Sequence, residues 1–229
     1  MSSDRRTAIV VGILFIIATA APIASFPFLK HLQESDLLAG VFTYRSDLIT
    51  GAFLELTMAL AISGIALAIY PVLRRYWDTL ALGYVAARSI ESVIFLVVAV
   101  FSISSLITLG HEYAEAPSPD AAYYQTLANL LVNAHDWSYV VSGKIIFSIS
   151  ALILNSVLYQ FKIVPRFLSA WALVGALLLL AGGVLQMLGL VVGDSVVITA
   201  AFLPIAVQEM FFAVWLIAKG FNPTTAAEQ

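Results

Sequence analysis

Five ionisable residues fall inside stretches otherwise apolar enough to cross a membrane: Glu55, Arg88, Glu91, Lys144 and Glu209. A charge near the bilayer centre costs about 2.5–3.5 kcal/mol on insertion scales, and more in simulations. Such side chains therefore face a bundle interior or a wet cavity and seek one another, and they mark ligand or ion paths. Arg88 and Glu91 lie three residues apart in Tyr84-Val-Ala-Ala-Arg-Ser-Ile-Glu-Ser-Val-Ile-Phe95, so a helix places both on one face.

Depth predicts the remaining pairs. Arg88 lies nine residues from the start of its span at Thr79, and Glu209 nine residues from the end of its own at Ala218. At ~1.5 Å per residue, both lie roughly 14 Å from the same side. Glu55 and Lys144 are each seven residues inside the opposite ends, which is roughly 11 Å. The expected pairs are thus Arg88 with Glu209 and Glu55 with Lys144. Three acids against two bases leave Glu91 to share Arg88 or to take up a proton. Tyr84, Arg88, Glu91, Phe95, Ser102 and Ser105 form one stripe. Trp137, Lys144, Ser148 and Asn155 form a second, and Asp47, Gly51, Glu55 and Ser63 a third. Three polar stripes on three helices predict a polar core.

The histidines, His31, His111 and His135, fall together on one side, and His111-Glu112 and His135-Asp136 join imidazole to carboxylate. Those residue types can hold zinc, which makes His111 and His135 weak metal candidates, but the spacing fits no zinc signature. A buried lysine is also the group that forms a Schiff base with retinal, and only Lys144 is placed to do so. No nucleophile elbow, phosphate-binding loop or dinucleotide fingerprint occurs. The expectation is therefore no resident cofactor or metal.

The elements that must hold these residues follow from composition. The chain is 61% hydrophobic and 11% charged, with a mean hydropathy of +0.97. Soluble domains carry about 25% charged residues, so the chain reads as one integral membrane domain. There is no cysteine, hence no disulfide or thiolate chemistry. There is no basic tract for nucleic acid, and the expected partners are membrane lipids and a small-molecule ligand. Oligomeric state is not encoded in any motif. Arg5 and Arg6 precede an apolar run longer than the core of a signal peptide, so a retained helix is expected there.

Six spans of about 20 residues are predicted at 7–29, 48–72, 79–109, 137–161, 167–192 and 196–218. Pro22 and Pro27 should bend or end the first, and Pro204 should kink the last. Gly175, Gly182 and Gly189 make a seam on the fifth for close helix approach. Arg5, Arg6, Arg74, Arg75, Lys162, Arg166 and Lys219 fall at one set of span ends, against Lys30 and Arg45 at the other. By the positive-inside rule both termini are cytoplasmic. Trp77 and Trp137 sit at span ends, as interfacial anchors do.

Two outer segments, His31–Asp47 and Gly110–Asp136, are too long for turns. In the second, Asp120 after Pro117 and Pro119 can cap a helix in which Tyr123, Tyr124, Leu127, Leu130, Leu131 and Ala134 recur at helical spacing. The fold class is therefore all-α: a six-transmembrane-helix bundle with a polar core, plus a short amphipathic outer-side helix in the loop between spans three and four. Tyr70-Pro-Val-Leu-Arg-Arg and Tyr159-Gln-Phe-Lys-Ile-Val-Pro-Arg form a faint internal echo. The positive-inside rule alone can produce it.

Arg88-x-x-Glu91, Pro165-Arg166-Phe167-Leu168 and Pro204…Glu209…Trp215…Lys219-Gly220, in this order and spacing, resemble the prokaryotic membrane proteins grouped as domain of unknown function 4386. The resemblance runs from about Arg5 to Gly220. It implies the inner membrane of a bacterium or archaeon, and it implies no activity or residue role. The leading functional expectation is binding or translocation of a small polar or amphipathic ligand, coupled to protons through Glu91. The alternatives are an intramembrane enzyme with an outer His/carboxylate site, or a structural or sensory subunit.

Overall fold

The computed structural model describes residues 2–34, 37–115, 121–192 and 195–222. Within these, the apolar stretches fold as six long helices: α1 (Ser3–Gln33), α2 (Leu37–Leu73), α3 (Asp78–Glu115), α4 (Ala122–Gln160), α5 (Arg166–Met187) and α6 (Val196–Ala218). A backbone in hydrocarbon must satisfy its own hydrogen bonds, which a helix does internally. The protein is thus a multi-pass, all-α membrane protein. Each helix packs against the next in sequence, and α6 closes against α1, so the six form a ring. One end of the ring carries the arginine-rich turns, and the other carries the carboxylates of Glu34, Glu112, Glu115 and Asp136.

The first four helices begin before their predicted apolar windows, whereas α5 ends at Met187, short of the predicted 192, and α6 keeps its predicted bounds. Leu37, Leu38 and Val41 pack against Leu29, Leu32, Leu106 and Leu109, so α2 begins eleven residues before Leu48. Most of the segment read as a loop at His31–Asp47 is therefore helix. At the other outer segment, the expected helix exists but is not a separate element. It is the start of α4, because no proline and only Gly143 interrupts the sequence from Ala121 to Gln160. Asp120, Pro117 and Pro119 lie outside the described residues.

Neither Pro22 nor Pro27 ends α1, which continues to Leu29 and finishes in a 3-10 turn over Lys30–Gln33. Two π-helical turns interrupt the ladders near mid-length, Phe95–Val100 in α3 and Val141–Ile146 in α4. Each inserts a wide turn that re-aims the side chains beside it.

The glycine seam of α5 divides. A Cβ at Gly175 would come within 3.1 Å of the Ile205 backbone, so α5 and α6 approach there as closely as a glycine allows. Gly189 lies past the end of α5 with φ of 72°. It closes the helix in the left-handed conformation instead of packing.

The basic end is fastened by the terminal helices. Arg5 donates from Nη1 to the Leu216 carbonyl at 2.9 Å, and from Nη2 to the carbonyls of Ile217 and Ala218. Those are the last carbonyls of α6, where intrahelical partners run out, and the Gly220 amide shares the Leu216 carbonyl at 3.0 Å. Arg75 grips Asp4 with two bonds of 2.7 and 2.8 Å.

Candidate functional site

The α3 stripe turns inward as its spacing predicts. Tyr84, Arg88, Glu91, Phe95 and Ser102 are all buried. Arg88 donates from Nη1 to both Glu91 oxygens, at 3.0 and 2.9 Å, and from Nε to the Tyr84 hydroxyl at 3.2 Å. Phe147, Phe15 and Tyr84 surround its guanidinium, with ring centroids 5.1, 5.8 and 5.8 Å away. Charge is thus met by a carboxylate at one edge and by aromatic faces around it, which suits a planar delocalised cation.

The third edge, Nη2, faces Glu209 Oε1 across 3.9 Å. The Glu209 side chain is 15% exposed, against 4% for Arg88 and 2% for Glu91. Thr19 on α1 donates to its other oxygen at 3.3 Å. Between these groups is a small cavity of about 10 Å³, lined by Tyr84, Arg88, Asn155, Gln208, Glu209 and apolar neighbours. That volume holds about one water. Asn155 and Gln208 spend their amide donors on the Ala151 and Leu168 carbonyls, at 2.9 and 3.1 Å.

Arg88 and Glu209 therefore meet, as their matched depth predicts, but the sharing is unequal. Glu91 is the close partner and Glu209 the loose one, the reverse of the expectation that Glu91 lacks a full partner. The cause is local. Glu91 is one turn from Arg88 on the same helix and reaches it by rotamer choice alone, whereas helix packing fixes the position of Glu209.

The pairing of Glu55 with Lys144 does not form. Glu55 Oε1 accepts from the Tyr139 hydroxyl at 2.7 Å and lies 2.9 Å from His135 Nε2. Lys144 Nζ donates to Gln186 on α5 at 2.6 Å. Among the described residues, the ion pairs of Glu55 do not include Lys144. The depth argument started α4 at Trp137, but the helix starts well before it, and Glu55 meets α4 at 135–139, five to nine residues short of Lys144. Glu55 Oε2 is buried with no hydrogen-bond partner.

The histidines separate as well. His111 is exposed and sits 3.6 Å from Glu115, one turn along its own helix, whereas His135 points inward to Glu55. His31 stacks on Tyr44 with ring centroids 3.8 Å apart, and its nitrogens lie 2.6 Å from Glu34 and 3.3 Å from Asp47. The His31 hydrogen bond holds the Glu34 carboxyl below its usual range. No group of three or more His, Cys, Asp or Glu residues placed to hold a metal occurs among the described residues.

Sequence reasoning missed the groups on Glu55 and the small residues that tie the helices. Ser92 donates to the Ala59 carbonyl at 2.7 Å and Ser142 to the Glu91 carbonyl at 2.8 Å. The signal for the first was present: His135 and Tyr139 are one turn apart and share a face.

The sequence matches the family described as Domain of unknown function (DUF4386) over residues 10–220. The chain belongs to this family. That description carries no activity, and neither the curated proteins nor the solved structures return a match. For this DUF4386 protein the roles of residues must come from its own geometry. Two buried polar centres stand out, one at Arg88–Glu91–Glu209 and one at Glu55–His135–Tyr139.

Proposed function

We propose that this protein binds, and by moving its helices translocates, a small polar or amphipathic ligand in the cytoplasmic membrane of a bacterium or archaeon. One observation carries the reading. The Arg88 guanidinium is occupied on two edges, and its third edge faces a loosely held carboxylate beside a small cavity that both line. A ligand carboxylate or phosphate entering there would replace Glu209 as the third-edge partner, forming the short charge-assisted bonds that 3.9 Å does not allow. The 10 Å³ cavity then belongs to a closed state, and helix separation enlarges it. The π-turns in α3 and α4, on the helices that supply Arg88 and Asn155, fit this role, since such turns concentrate at functional sites. Orientation with both termini in the cytoplasm is supported by the seven basic residues at one set of ends.

The test is thermal-shift and native-mass screening of purified protein in nanodiscs against small organic anions, cations and zwitterions. Anionic compounds should stabilise the parent, and Arg88→Met should abolish the shift. A screen in which no compound shifts the parent, with an Arg88→Met, Glu209→Met protein as stable as the parent, would assign the centre to helix register alone.

A further inference from the structure

The second buried centre lies on α2 and α4 towards the acidic end. Three side chains form a line of falling exposure: Asp136 at 59%, His135 at 8% and Glu55 at 0%. Asp136 Oδ1 is 3.3 Å from His135 Nδ1, and His135 Nε2 is 2.9 Å from Glu55 Oε1. Both ring nitrogens thus face a carboxyl, one at the surface and one fully inside. Tyr139 donates its hydroxyl to the same Glu55 oxygen at 2.7 Å. The far oxygen, Oε2, is buried and unpartnered. The charged groups acting on His135 and Tyr139 are Glu55 and Asp136, and the Arg88 centre is served by a different set of residues.

A buried unpartnered carboxyl oxygen costs about 1–3 kcal/mol, and a structural ion pair has no use for one. A histidine bridging a surface acid and a buried acid is the arrangement that moves protons within membranes. We infer that Asp136, His135 and Glu55 form a proton relay that loads a proton from the acidic-end surface onto Glu55. The transfer balances. A proton taken by Asp136 passes to His135 Nδ1, giving an imidazolium. Nε2 then releases its own proton to Glu55 Oε1, leaving a neutral ring protonated at Nδ1 and a carboxylic acid. Rotation of that carboxyl carries the proton to the side now held by Oε2, facing away from His135. The ring regains its starting tautomer when the transfers run in reverse, Glu55 Oε1 giving its proton back to Nε2 and Nδ1 giving its own back to Asp136. The relay stands apart from the ligand reading at Arg88, and its chemistry needs no ligand.

The experiment uses full-length protein in nanodiscs labelled with 15N-histidine. The three histidines are assigned by replacing His31, His111 and His135 one at a time with Gln. Exchange of the His135 ring protons with water is then measured by NMR. The relay requires exchange much faster than that of the surrounding α4 amides. Asp136→Asn should slow it by about tenfold or more, and Glu55→Gln should lock the ring in one tautomer. Because Asp136 is exposed, its variant keeps the test alive if Glu55→Gln does not fold. Ring protons as protected as the helix amides, or exchange unchanged by Asp136→Asn, would make the triad structural. As no ligand is present, that result would leave the Arg88 proposal standing, and failure of the ligand screen would leave the relay standing.

Discussion

Glu209 stands 3.9 Å from Arg88, a full ångström further than Glu91, which shares the same guanidinium at 2.9 Å. One buried cation therefore serves two acids from two helices. The closer acid is supplied by its own helix and the looser one by α6. This asymmetry separates a residue that keeps the charge buried from one free to let go of it.

The two acids should respond differently to neutralisation. Glu91→Gln leaves Arg88 without its close counter-charge and should cost about 3–5 kcal/mol. Glu209→Gln retains the close pair and leaves an amide oxygen to accept from Thr19, removing only the charge of a long contact, so about 1 kcal/mol is expected. Denaturation of the purified variants measures both. In a double-mutant cycle, Arg88→Met with Glu209→Met should show coupling of about 0.5–3 kcal/mol. Additive losses would mean that the 3.9 Å contact carries no energy.

Much of this centre was legible in the sequence, and the reason is physical. Arg88 and Glu91 are related by helix periodicity alone, and Glu209 by depth counted from a span end that hydropathy marks well. For Glu55 the same counting points to Lys144 and not to His135 and Tyr139, because it starts α4 too late. Its first turns, from Ala122 to Asp136, are helical, but Gln125, Thr126, Asn129, Asn133 and Asp136 interrupt their hydropathy. Loss of that start point shifted the register by more than a turn. The π-turns at Phe95 and Val141 add a further offset that periodicity cannot anticipate. Gly189 was drawn into the seam by its seven-residue spacing, although its left-handed backbone ends the helix.

Topology can be checked directly. The seven-to-two division of basic residues between the span ends predicts both termini on the cytoplasmic side. The chain has no cysteine, so single cysteines at Ser3 and Thr225 report without background. Both should stay unlabelled by an impermeant thiol reagent in intact cells and become labelled after permeabilisation. Labelling of both in intact cells would invert the bundle.

At the basic end, Arg5 should matter more than its exposed neighbour Asp4. Arg5 serves the carbonyls of Leu216, Ile217 and Ala218 at the end of α6, of which Leu216 also accepts from the Gly220 amide at 3.0 Å. Hydrogen bonds from a charged donor contribute about 1.5–3 kcal/mol, and the contact also closes the ring of helices between α1 and α6. Asp4 and Arg75 form a well-aligned pair, but both side chains are nearly half exposed, and exposed pairs contribute about 0–1 kcal/mol. Arg5→Ala should therefore lower the melting temperature clearly and loosen the end of α6, read as faster amide exchange over Trp215–Lys219. Asp4→Asn should change the melting temperature little, and less still in high salt, where its pair is already screened. Equal losses from the two substitutions would show that the basic end is held by surface charge instead of by the capping of α6.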